Sequence, residues 1–81
     1  MMHPDQIKQL ILAGMNCAHL ELDGDGHHFD AVIVSDEFVG KSRVQRQQRV
    51  NQILKERFDS GELHALSFKT LTPEEWSVSR G

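Results

Sequence analysis

Eighty-one residues suffice for one compact domain with one core. The composition, 38% hydrophobic and 26% charged, is that of an ordinary globular chain rather than a disordered or fibrous one. A formal charge of −3 argues against a general nucleic-acid coat, and a single cysteine excludes an internal disulfide framework.

The first predicted element is a helix from about Pro4 to Ala13. Proline suits a first helical position, Asp5 sits at the positive end of the helix dipole, and Gly14 is a natural stop. Ile7, Leu10 and Ile11 share its apolar face. His3, just ahead, looks incidental. The hydrophobic stretch here is too short for a signal peptide, and no segment approaches the roughly 20 apolar residues of a membrane span. A cytoplasmic protein without a membrane partner is expected.

Cys17 to Asp23 alternates with the period of a half-buried strand, placing Ala18, Leu20 and Leu22 on one face. His19 falls on the outer face and looks incidental too. After the turn Gly24-Asp25-Gly26, the run His28 to Val34 reads as a second strand, its apolar half covered on both sides. The two make an antiparallel hairpin.

A loop with Phe38 and Gly40 leads to the longest helix, about Ser42 to Phe58. Its apolar stripe is Val44, Val50, Ile53, Leu54 and Phe58, with Gln47 oddly inside it. Asp59-Ser60-Gly61 ends it. Glu62 to Thr70 alternates again, with His64, Leu66, Phe68 and Thr70 on one face. Thr72 then caps a last helix that starts at Pro73, with Glu75 completing a capping box and Leu71 and Trp76 a hydrophobic staple.

The order α-β-β-α-β-α defines an α+β domain spanning residues 1–81. A strand, long helix and strand form a right-handed crossover, so the third strand should run parallel to the second. The expected result is a three-stranded mixed sheet with helices mainly on one face.

An enzyme is a poor fit. Cys17 lacks an evident base and reads as a small packed residue, and no phosphate loop, serine triad or CxxC is present. Asp23 and Asp25 beside the glycine turn are explained by turn chemistry.

Two constellations remain. From Lys41 to Lys55 the chain carries Lys41, Arg43, Arg46, Arg49 and Lys55 without an acidic residue. Positive charge in a first helical turn opposes the dipole, so a solvated face and a contact surface for phosphate, glutathione or an acidic partner stand as even alternatives. The second constellation is histidine. If the third strand lies parallel beside the second, His64 and the pair His27-His28 start neighbouring strands at one end of the sheet. Two imidazoles make half a metal site, because structural zinc takes four protein ligands. On chemistry alone, a strand-end histidine bonded to a backbone carbonyl is the stronger reading of His64.

The segments Asp25-Gly26-His27-His28-Phe29, Phe38 to Val44 and Leu63 to Trp76, with the HAL strand followed by TxxEW, resemble the BolA family over nearly the whole chain. Arg46-Gln47-Gln48-Arg49 stands where most members carry R-H-R, and with the short Gly24-Asp25-Gly26 turn this is similar to the bacterial IbaG (YrbA) branch. Gln47 thus occupies the place of the usual helical histidine.

The resemblance implies a type II KH-like fold and a non-enzymatic adaptor. Its partner would be a monothiol CGFS glutaredoxin, and the pair would hold a bridging 2Fe–2S cluster in iron–sulfur trafficking or in iron or stress regulation. Thiolates would come from the glutaredoxin and its glutathione. This chain would add His64 and a hairpin histidine, with His28 matching the family position and His27 its competitor. Imidazole ligands raise a cluster's potential, and protons compete with the metal for them.

The alternative is a KH-like transcriptional regulator that binds DNA through Lys41, Ser42, Arg43, Arg46 and Arg49, although Gly40-Lys41-Ser42-Arg43 lacks the second glycine of a GxxG clamp. Alone, the chain is expected to be a monomer or weak homodimer.

Overall fold

The computed structural model describes residues 2–80, so Met1 and Gly81 of the 1–81 span lie outside the described residues. The element order is α1 (Pro4–Gly14), β1 (His19–Gly24), β2 (His28–Val34), a short 3-10 turn at Asp36–Phe38, α2 (Arg43–Ser60), β3 (Ala65–Leu71) and α3 (Pro73–Arg80). This is the expected α-β-β-α-β-α order. β2 is central, antiparallel to β1 and parallel to β3. Among the described residues, no helix is long and apolar enough to cross a membrane.

Local chemistry sets the helix ends. His3, which looked incidental, is the N-cap of α1: its Nδ1 accepts from the Asp5 N–H at 3.1 Å, while its own N–H donates to Gln6 Oε1 at 2.8 Å. Ser42 and Gln45 form the same reciprocal box at α2, and Thr72 and Glu75 at α3. Gly61 closes α2 with φ of +81°, a left-handed conformation that suits glycine.

The core lies between one face of the sheet and the two longer helices. Ile7 and Ile11 of α1 and Val50 and Leu54 of α2 pack with Phe29, Ala31 and Ile33 of β2, and with Phe38 and Leu63 from the connections. Leu20, Leu22, Leu66 and Phe68 flank this cluster from the outer strands.

Two expectations need correction. The first and third strands begin at His19 and Ala65, so Cys17 and His64 precede them rather than lying within them. The apolar stripe of α2 fails in its first turns, where Val44 is 63% exposed, Gln47 is exposed, and Arg46 turns inward instead. Beyond the apolar layer the inward direction meets backbone carbonyls and a carboxylate, which favour a guanidinium over a valine.

The two longer helices share one face, as expected, and α3 is the exception. His19 alternates with the core-facing Leu20, yet its ring stacks on Trp76 of α3 at 4.7 Å. α3 therefore covers one end of the opposite face, where Val34 is fully buried outside the main cluster. The Arg80 guanidinium also lies over the Trp76 ring, 5.0 Å from its centre.

Candidate functional site

The parallel register places His28 of β2 beside Ala65 of β3. His27 and His64 each stand one residue ahead of these partners, so the three histidines gather at the same end of adjacent strands. All three are exposed. Among the described residues, none of their imidazoles is hydrogen-bonded or ion-paired within the chain. The bond from the His64 ring to a backbone carbonyl, the stronger reading on chemistry alone, is therefore absent among the described residues.

The backbone carrying these rings is ordered on both sides. Asp25 Oδ1 accepts the N–H groups of His27 and His28, each at 2.9 Å, and the Asp25 N–H donates to the His28 carbonyl at 3.2 Å. Those two backbone donors hold the Asp25 carboxyl below its usual range. Gly24 belongs to the same tight turn, since a Cβ there would sit 2.5 Å from the His28 carbonyl oxygen.

On the other strand, the turn after α2 is tied by Arg57 to Glu62 at 3.2 Å, by Ser60 Oγ to the same carboxylate at 3.1 Å, and by the Leu63 N–H to the Arg57 carbonyl. Leu63 is buried as an anchor immediately before His64. The donor set is thus exposed imidazole nitrogen on firm backbone.

Among the described residues, no group of three or more histidine, cysteine, aspartate or glutamate side chains is placed to hold a metal alone. Two imidazoles at neighbouring strand starts could supply only part of a metal centre's ligands.

The basic surface shrinks in the structure. Arg46 was expected to face a partner, but its side chain is only 11% exposed. It donates to the Lys41 carbonyl at 3.0 Å, the Thr70 carbonyl at 3.3 Å and Glu75 Oε1 at 2.7 Å, with its guanidinium 5.9 Å from the Phe38 ring centre. Arg49 likewise donates to the Gly14 carbonyl at 3.0 Å and to Glu37 at 3.3 Å. Ser42 is a helix cap. Lys41 and Arg43 stay exposed and, among the described residues, outside any ion pair.

Arg46, aided by Thr72, holds the Glu75 carboxyl down to about 2, and the Asn16 N–H, with Arg49, lowers that of Glu37. Cys17 is half-buried; burial first, and Glu37 second, push its thiol up, the opposite of an activated nucleophile.

The sequence model of the family described as BolA-like protein matches residues 12–75, and the chain belongs to that family. Its relatives put it on the IbaG/YrbA-like branch: it is 34% identical over 79 residues to the acid stress protein IbaG of Escherichia coli, covering 98% of this chain and 94% of the relative. It is also 43% identical over 69 residues to the DNA-binding transcriptional regulator BolA of Haemophilus influenzae, covering 83% and 66% of the two chains. A solved BolA homologue from Coxiella burnetii superposes with a TM-score of 0.79 at 38% identity, covering 95% of this chain and 99% of that one.

Proposed function

We propose that this BolA-like chain is an adaptor for a monothiol CGFS glutaredoxin, contributing imidazole ligands to a bridging 2Fe–2S cluster. His64 is one ligand and His28 the other, with His27 as its competitor. The glutaredoxin cysteine and its glutathione complete the set. The observation behind this reading is the parallel register, which gathers three exposed, unbonded histidines on ordered backbone at one sheet end. When bound, the cluster supplies one-electron chemistry at a potential raised by nitrogen ligation. The chain's own contribution is to hold the imidazoles free of competing hydrogen bonds and to leave their side open to the partner.

The test mixes the chain with a CGFS glutaredoxin, iron, sulfide and glutathione, and records visible circular dichroism. His64→Ala should change the spectrum and hasten cluster loss, and His28→Ala should do so more than His27→Ala. An unchanged spectrum in His64→Ala would overturn the reading.

A nucleic-acid role is the second reading, supported by the exposed pair Lys41 and Arg43 and by the DNA-binding name of the Haemophilus relative. Its probe is Lys41 and Arg43 charge removal, with binding that weakens steeply in salt. Arg46 is unsuitable for that purpose because its guanidinium is engaged inside the fold.

A further inference from the structure

Among the described residues β3 is an edge strand, with β2 on one side and no strand on the other. Its backbone groups alternate in direction. The Leu71 carbonyl points toward the β2 side, where it accepts from the Ser35 N–H at 3.0 Å. The preceding carbonyl, Thr70, points outward and accepts from Arg46. Continuing the alternation back along the strand, the N–H and C=O groups of Phe68 and Leu66 also point outward. Arg46 thus blunts the edge at Thr70 and leaves it open from Phe68 toward His64.

At Phe68 the open stretch meets a groove of about 310 Å³ between β3 and the start of α2, lined also by Arg43, Lys69 and Glu75. Glu75 is already satisfied by Arg46. Arg43 and Lys69 are exposed and, among the described residues, without an ion-pair partner. In a chain of net charge −3, this edge therefore presents uncompensated positive charge.

A lysine on an edge strand is a known guard against unwanted pairing, and Lys69 alone would need no further explanation. Arg43 is different. It belongs to a helix and sits in the first turn of α2, where positive charge opposes the dipole, and it lines the same groove. Unpaired strand groups, an aromatic side chain and two free cations together are the recognition elements of strand addition: main-chain bonds for affinity, side-chain contacts for selection.

We propose that the β3 edge from Leu66 to Phe68 is a docking site for an extended acidic segment of a partner protein, added as a fourth strand and selected by Arg43 and Lys69. This surface does not depend on the histidine reading.

The probe is an end-blocked eight-residue peptide alternating glutamate and valine, titrated into 15N-labelled protein, with a lysine–valine peptide and an oligothymidylate as comparators. The acidic peptide should shift the Leu66 and Phe68 amides and slow their hydrogen exchange. The double variant Arg43→Glu/Lys69→Glu should weaken binding about tenfold, whereas the charge-matched Lys8→Glu/Lys55→Glu should not. The proposal is overturned if the lysine–valine peptide binds equally well, or if the shifts fall away from this edge. Response of these amides to oligothymidylate alone would overturn it in favour of nucleic acid. Their protection by concentration-dependent self-association would overturn it in favour of a second copy.

Discussion

Replacing Arg46 by alanine removes a guanidinium that joins α2 to the end of β3 and to α3 and lies over Phe38 at the edge of the apolar cluster. Hydrogen bonds from a charged donor contribute about 1.5–3 kcal/mol each at most. Several features reduce the total here. The bond to Thr70 is long at 3.3 Å, and that carbonyl lies on a strand edge where water can replace the lost donor. Glu75 is 46% exposed, so solvent screens the ion pair. The bond to the Lys41 carbonyl is exposed and discounted in the same way, and the packing over Phe38 adds to what remains. A net loss of about 2 kcal/mol follows, which for a domain of this size lowers Tm by about 10 °C.

Arg43→Ala, three residues away on the same helix, removes an unpaired exposed cation and should change stability by less than about 0.5 kcal/mol. Trp76, the only tryptophan, lies on α3 and reports the transition by fluorescence during urea unfolding, with thermal circular dichroism as a second probe. Equal midpoints for the two variants would refute the structural role given to Arg46 and restore it to the binding surface.

Other consequences follow from the same contacts. Glu75 titrates at about 2 in the folded chain against 4.5 ordinarily, so its stabilisation is complete above 4.5 and lost as pH falls through about 2. The Tm difference between the parent and Glu75→Gln should therefore hold steady from pH 7 to about pH 5 and close toward pH 2; closure already near pH 6 would contradict the Arg46 contact. Gly24→Ala puts a Cβ 2.5 Å from both the His28 carbonyl oxygen and Phe29 Cδ1. It should cost about 1–3 kcal/mol in denaturant unfolding and shift the His27 and His28 amides, and a variant as stable as the parent would disprove the close approach.

Much of the fold was legible because its signals are local. Caps act within three residues, as at Thr72 and Glu75, and strand alternation places Leu20, Leu22, Leu66 and Phe68 toward the core whatever lies across from them. The parallel pairing of β2 with β3 followed from the length of the connecting helix, and it was enough to gather His27, His28 and His64 at one end of the sheet.

What the sequence could not express was where each charge spends its field. Arg43 and Arg46 look alike on a helix. Yet Arg46 finds Thr70 and Glu75, 24 and 29 residues away, and is consumed by the fold, whereas Arg43 finds no ion-pair partner among the described residues. His19 finds Trp76 from across the chain in the same way. Sequence alone determined the elements and their order, because backbone preference and hydrophobic period are short-range, and its motifs carried the family resemblance. Only tertiary structure separated polar side chains that hold the domain together from those left to meet a partner, because that depends on groups distant in sequence arriving within a few ångströms.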